Sequence, residues 1–455
     1  MSVEKVLAHI DEDIDNALSR LLELLKIQSI STDPAFDTEV DKAADWLKAD
    51  LESLGFDASK RETPGHPMVI GHQQGDGTHV MFYGHYDVQP VDPLDLWNSP
   101  PFEPRIEDTP GGKVIRGRGS SDDKGQLMTF LEACRAWKAV TGSLPTKVSV
   151  FFEGEEESGS PSLVPFMEAH KNELKSDVTL ICDTGMVTPN TPSIVTMLRG
   201  LTGEEVKVTG PRIDLHSGMY GGAAMNPIRA LSKALAALHD ETGRITLDGF
   251  YDGVEELSHN VKSQWERTDF SGETFLGDVG LSKPAGEEGR SVLEMLWSRP
   301  TCEINGIWGG YTGAGFKTVL PSEANAKVSF RLVGNQDPIK VRDAFRAHVR
   351  AHMPEDCTVE FTPHGASAAS HMELDHPAFE AARQALSDEW GQEAAFVGCG
   401  GSIPIAGHFQ DVVGTQSLLI GFGQDDDAIH SPNEKYDLRS FHKGIRSWAR
   451  ILAAL

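Results

Sequence analysis

The chain has 455 residues, of which 39% are hydrophobic and 24% charged, with 45 glycines and 25 prolines. Those proportions exclude collagen-like, low-complexity and wholly disordered classes, and the length suits two or three ordinary domains or one large core with an inserted domain. Forty-one Lys and Arg against 68 Asp and Glu leave a formal net charge of −27, which argues against nucleic acid or an anionic membrane as partner, because phosphate binding needs a basic face.

Residues 1–15 are acidic and amphipathic, without the basic start and apolar stretch of a secretory signal. In the rest of the chain there is no run of about 18 apolar residues. The five cysteines (Cys134, Cys182, Cys302, Cys357 and Cys399) are far apart and lack CxxC spacing. That argues against a disulfide framework and against a thiolate zinc site, and predicts a cytoplasmic protein with buried thiols.

Leu7, Ile10, Ile14, Leu18, Leu21 and Leu25 recur at three- and four-residue steps and predict an opening amphipathic helix. A second is predicted over 40–54, with Ala43, Ala44, Leu47, Leu51 and Leu54 on one face and Gly55 as its stop. The pattern then changes to short apolar runs at 80–83, 148–152, 178–182 and 418–420, separated by helical stretches such as 126–140. Runs without alternation are strands buried on both faces, the mark of a mainly parallel sheet in an α/β domain. In the middle, 204–209, 324–332 and 358–362 read as alternating strands, and 227–239 and 338–352 as helices. This is the pattern of a smaller α+β domain with one solvated sheet face. Residues 243–308 have weak periodicity and carry no assignment. The expected architecture is a discontinuous α/β catalytic domain, 1–199 plus 366–455, flanked by helices and interrupted by an inserted α+β domain at 200–365.

Polar residues cluster where these strands end. The run at 80–83 leads into His85 and Asp87, that at 148–152 into Glu155, Glu156 and Glu157, that at 178–182 into Asp183, and that at 418–420 through a loop to His430. Ligands of open parallel sheets bind outside the carboxyl ends of the strands, so four strands deliver His, Asp or Glu to one edge. A Gly-rich loop adds Asp122 and Asp123 just before a helix. Alone, each fragment has an ordinary reading: a His-x-Asp surface pair, solvated acidic turns at 155–157 and 425–427, a capping Asp, a strand-end turn. Together they offer two imidazoles and at least three carboxylates without a thiol, which suits Zn²⁺, Mn²⁺ or Co²⁺. A bridging carboxylate lets two cations sit about 3.5–4 Å apart, as in two-metal hydrolytic sites.

In order along the chain, GHYDVQP, GRGSSDDKG, EGEEESGS, a lone Asp, DLHSGMYGG, SFRLV, GGSIPI and IHSPNE resemble the motifs of the aminoacylase and dipeptidase family of co-catalytic metallopeptidases. Within it, DDKG, LHSG and the long insert favour the side of cytosolic non-specific dipeptidase and carnosinase-like enzymes over the deacetylases. The resemblance implies that His85 and Asp183 bind one metal, Glu157 and His430 the other, and that Asp122 bridges both. It makes Asp87 the partner that orients His85, and has Asp123 form a strained peptide with Asp122. Glu156 becomes the general base that takes a proton from a metal-activated water and returns it to the leaving amine. EEESG holds two Glu-Glu pairs; alignment on the following Ser-Gly picks Glu156 and Glu157 and leaves Glu155 a bystander.

The resemblance further implies a ferredoxin-like lid and dimerisation domain whose His216 stabilises the oxyanion of the partner's active site, hence a homodimer. Arg331 becomes a clamp for the substrate's free carboxylate, with Thr318, Gly401 and Ser402 as further substrate contacts. Gln126, where relatives often have proline, and the MVT after Asp183, where they carry an aromatic, depart from the pattern. The function so implied is hydrolysis of dipeptides or short peptides by two divalent ions, Zn²⁺ first. The alternatives are an N-acyl-amino-acid deacylase and, in another class, a catalytically inactive metal-binding scaffold.

Overall fold

The computed structural model describes residues 3–455 apart from 373, 375 and 402. Its first helix, Val3–Leu25, buries Val6, Leu7, Ile10, Leu21, Leu24 and Leu25, the stripe that three- and four-residue spacing puts on one face. The second, Asp37–Ser53, buries Val40, Ala43, Ala44, Leu47 and Leu51. Gly55 follows at φ +79°, the left-handed conformation that ends a helix.

Among the described residues nine strands form the larger sheet. Its centre is four parallel strands in the order Lys147–Glu153, His79–His85, Val178–Ile181, Ser417–Leu419. Met68–Gln73 and Asp57–Arg61 extend one side antiparallel. On the other, Ser193–Leu198 takes Ala395–Cys399 as a parallel and Ser370–His371 as an antiparallel neighbour.

Successive side chains of a strand point to opposite faces, and here both faces are covered. Phe82 stacks on Phe130 at 3.9 Å, with Trp448 edge-on to both at 5.7 Å. Those two partners come from the helices Lys124–Thr141 and Leu438–Ala454. Tyr83, the next residue, meets Phe151 and Phe409 instead. Double coverage is why these strands read as unbroken apolar runs. Because the four run the same way, their C-terminal ends share one rim.

The second sheet has the order Thr301–Gly309, Glu323–Leu332, Gly200–Thr209, Thr358–Ser367, all antiparallel. With the helices Pro227–Ala236 and Pro338–Ala351 in its crossovers, this is a ferredoxin-like arrangement. One face is buried through Val206, Val208, Val328 and Phe330 against Leu231 and Phe345. The strand Gly200–Thr209 alternates buried and half-buried along its whole length, as a sheet covered on one side must.

The stretch 243–308 holds three short helices, His259–Glu266, Gly272–Asp278 and Val292–Trp297. Each starts at a serine (Ser258, Ser271, Ser291) whose side chain accepts a backbone N–H. Helices this short have too few turns for periodicity to register. The first and third fold back on the larger sheet. Trp265 donates its indole N–H to Phe396 O at 2.9 Å and packs edge-on against Trp297 at 5.0 Å. Trp297 lies so close to the strand Ala395–Cys399 that a Cβ on Gly398 would sit 2.4 Å from its own Cβ; only glycine fits there.

Candidate metal centre

His85 ends its strand and is fully buried. Its Nε2 lies 3.1 Å from Asp122 Oδ1, while Nδ1 faces Asp87, 3.3 Å from Oδ1 and 3.2 Å from the main-chain oxygen. The other oxygen of Asp122 is 3.0 Å from His430 Nε2, and that nitrogen is 3.1 Å from Glu157 Oε2. Two triads result, His85–Asp122–Asp183 and Asp122–Glu157–His430, each with its ligand atoms within 4.8 Å of one another. They share Asp122, one oxygen turned to each imidazole.

Asp122 stands on the loop before the helix Lys124–Thr141, and its peptide bond to Asp123 is cis. The loop is tight: a Cβ on Gly125 would lie 1.8 Å from Ser120 O. Its anchor is Glu434, wholly buried, whose carboxylate accepts N–H groups of Gly119 (2.9 Å), Ser121 (2.9 Å) and Asp122 (3.1 Å) and the Arg118 guanidinium (2.7 Å). Arg118 also donates to Pro90 O at 3.0 Å. Glu434 follows His430 by four residues, so its carboxylate, directly and through Arg118, ties together the loops that carry His85, Asp122 and His430.

Glu156 and Glu157 lie on a short 3₁₀ turn, Glu156–Ser158, after the strand Lys147–Glu153. Asp87 holds the turn as well as the imidazole: Oδ1 accepts the N–H of Glu156 at 3.3 Å and Oδ2 that of Glu157 at 3.0 Å. Gln89 donates to Glu157 Oε2 at 2.7 Å. Glu155 is buried rather than solvated, accepting from His66 N (2.6 Å), Ser162 N (2.8 Å) and Ser162 Oγ (3.1 Å). Its contacts brace the turn. Nor is 425–427 a wholly solvated turn: Asp427 is buried and accepts from Ser121 Oγ at 2.7 Å and Lys435 Nζ at 2.8 Å. Gln126, in place of proline, accepts the Phe422 N–H at 2.8 Å.

The electrostatics call for cations. Burial, then the Asp122, Glu156 and Glu157 charges, pushes Asp183 well above the usual carboxylate range against the pull of His85. Burial, with the charges of Asp87, Glu157 and Asp122, raises Glu156 to about 7, again against His85. Asp122 goes the other way: burial opposes its ionisation, but hydrogen bonds from His430 and His85 hold it low. Hydrogen bonds to Asp122 and Glu157 raise His430 to about 10. Several carboxylates crowd two imidazoles that are forced to carry protons, a costly arrangement for which divalent cations substitute. Nitrogen and oxygen donors with no thiol fit Zn²⁺, Mn²⁺ or Co²⁺.

A family model described as peptidase family M20/M25/M40 matches residues 81–454. The chain belongs to that family. It is 30% identical over 473 residues to the Cys-Gly metallodipeptidase DUG1 of Saccharomyces cerevisiae, covering 99% of this chain and 98% of that one. The crystal structure of human carnosine dipeptidase 1 superposes with a TM-score of 0.83 at 27% identity, covering 99% of this chain and 98% of that one. The M20 family metallo-carboxypeptidase Sso-CP2 from Sulfolobus solfataricus gives 0.82 at 31% identity, covering 96% and 98%.

The remaining candidates stand outside the triads. His216 is exposed on the short strand Leu215–His216, which pairs with Val319–Leu320. Its Nδ1 accepts the Gly218 N–H at 3.0 Å, and Thr318 O accepts the Ser217 N–H at 3.1 Å, so His216 and Thr318 sit side by side. Arg331, on Glu323–Leu332, lies beside Arg199. Arg199 donates Nε–H to Gly400 O at 3.0 Å, and Gly401 N–H points to Cys399 Sγ at 3.4 Å. Ser402 lies outside the described residues. Sequence reasoning missed Glu434, Gln89, Arg118 and Arg199; the first three lie inside motifs already singled out, where a long-range partner is invisible.

Glu434→Gln turns an amide NH₂ toward N–H donors and strips Arg118 of its charge partner. It should destabilise the fold by about 3–5 kcal/mol and weaken metal affinity roughly 10–100-fold, checked by urea unfolding and by metal titration of the folded fraction.

Proposed function

We propose that this M20-family chain is a dipeptidase, cleaving the amide bond of dipeptides or short peptides that have a free C-terminal carboxylate. The observation that carries it is the pair of triads joined through Asp122, with Glu156 on the same turn as one of their ligands. His85 and Asp183 would hold one ion, Glu157 and His430 the other, and Asp122 both. Zn²⁺ is the first candidate, with Mn²⁺ or Co²⁺ as alternatives. Such a pair would supply Lewis acidity and lower the pKa of a bound water.

The protein's part is to place and move protons. Glu156, on the same turn as Glu157 and with its N–H held by Asp87 Oδ1, would accept a proton from the attacking water and return it to the leaving amine. Asp87 fixes both the His85 ring and the N–H groups of the Glu156 turn, so base and ligand keep register. Arg331 would grip the substrate carboxylate in a bidentate pair, with Thr318, Gly401 and Ser402 as further substrate contacts.

His216 is exposed in the single chain and belongs to neither triad, which supports a homodimer in which the partner subunit's His216 completes each site. Exposed apolar side chains gather at one sheet edge, a surface that suits such a dimer. Ile304, Ile307 and Trp308 lie on the strand Thr301–Gly309, at the edge of its sheet, and Phe316 beyond it is 91% exposed. On this reading 1–199 with 366–455 is the catalytic domain and 200–365 the lid, with two of its short helices docked on the catalytic sheet. A cytoplasmic setting is supported by five free cysteines. Among the described residues no helix is long and apolar enough to cross a membrane.

The metal-loaded protein should turn over dipeptides and leave N-acetyl and N-succinyl amino acids nearly untouched; the reverse order would make it a deacylase. Glu156→Gln should keep two ions by metal analysis while kcat falls at least about a hundredfold. Mixing inactive His216→Ala with inactive Glu156→Gln should restore roughly a quarter of wild-type activity, because half the dimers then hold one complete site. No recovery after subunit exchange would place His216 in its own subunit's site or outside catalysis.

A further inference from the structure

Asp87 is fully buried and serves four neighbours. His85 Nδ1 stands 3.3 Å from its Oδ1, and the Glu156 N–H donates to the same oxygen at 3.3 Å. Oδ2 accepts the N–H of Glu157 at 3.0 Å and the hydroxyl of Ser31 at 2.6 Å, the shortest contact of the four. A carboxylate offers about four acceptor positions, so the set is full. Three of the partners belong to the metal centre. Ser31 comes from elsewhere, 56 residues before Asp87.

Ser31 closes a strap, 27–31, that follows the first helix and runs beside 86–88. Ile30 and Val88 form a parallel bridge. Ser29 O accepts the Val88 N–H at 2.9 Å, and Ser29 Oγ donates to Tyr86 O at 2.6 Å. Lys124, fully buried, donates from Nζ to Ile27 O at 2.7 Å, which ties the same strap to the loop of Asp122. Ile27, Ser29, Ile30 and Ser31 are all buried. The Ser31 hydroxyl is therefore carried on a fixed backbone, and it donates to a charged acceptor where little solvent competes.

We propose that Ser31 is a positioning residue of the metal centre: its hydroxyl pins Asp87 so that this carboxylate keeps the His85 ring and the Glu156 turn in register. A neutral imidazole with its proton on Nδ1 presents its lone pair at Nε2, the nitrogen that faces Asp122. Asp87 selects that form by accepting at Nδ1. Without the hydroxyl, Oδ2 keeps one donor, and the carboxylate is free to turn about its own bond and take ring and turn with it. The proposal rests on the metal-site part of the reading above and is independent of which substrate is cleaved.

The test is Zn²⁺ titration of the metal-free full chain in competition with a chelator, with urea unfolding and dipeptide kinetics alongside. Ser31→Ala should weaken Zn²⁺ binding about 10–100-fold and lower kcat about tenfold with KM held. Ser31→Cys, close in size but a weak donor, serves where the alanine variant fails to fold. Ser29→Ala is the control, because it removes an equally short hydrogen bond from the same strap, one that ends on a main-chain oxygen. It should lower the urea midpoint as Ser31→Ala does, yet keep wild-type Zn²⁺ affinity and kcat. Ser31 variants that hold Zn²⁺ as wild type does, or a Ser29→Ala that loses as much Zn²⁺ affinity, would overturn the positioning role. A wild type that takes up no Zn²⁺ would overturn it together with the metal site. One that binds Zn²⁺ and cleaves no dipeptide would overturn the dipeptidase reading alone, with the titration still deciding Ser31.

Discussion

One carboxylate shared between two imidazoles organises this molecule. Asp122 turns an oxygen to His85 and the other to His430, two residues that are 345 positions apart in the chain. Around it Asp183, Glu156, Glu157 and Asp87 bring negative charge into a largely buried place, where like charges repel strongly and water screens little. The arrangement is sensible only as a cation site. Much of the surrounding structure serves to hold these acids against their mutual repulsion.

That holding is done by buried polar contacts away from the triads. Glu434 collects three backbone N–H groups and a guanidinium; Glu155 collects two N–H groups and a hydroxyl; Asp87 grips a ring on one side and a turn on the other. Each is an acid that faces donors rather than a metal. A buried carboxylate surrounded by donors is rigid, because losing any one of them leaves an unpaired group in a poor solvent. Ligand geometry therefore depends on residues that a list of ligands would omit.

The acids and imidazoles were legible because parallel strands put their loops at a common rim, so apolar runs followed by His85, Glu157 and Asp183 sufficed to gather them. The two domains' periodicities were legible for a related reason. A strand covered on both faces reads as an unbroken run, and one covered on a single face alternates, as Gly200–Thr209 does. The helices of 259–297 escaped, since six to eight residues hold two turns and their docking rests on single tryptophans. The buried contacts of Glu155 and Asp427 were not legible, because a run of carboxylates has the same composition whether or not donors from 66, 121 and 162 surround it.

What the amino-acid sequence determined by itself was local: which segments are helix or strand, which faces are apolar, and which strand ends carry metal-binding chemistry. These follow from side-chain period and from backbone preference over a few residues. Tertiary structure alone decided which acids gather around the two imidazoles and which meet N–H groups. Those outcomes depend on contacts between residues tens to hundreds of positions apart, and burial sets their energies, a quantity that exists only once the chain has closed on itself.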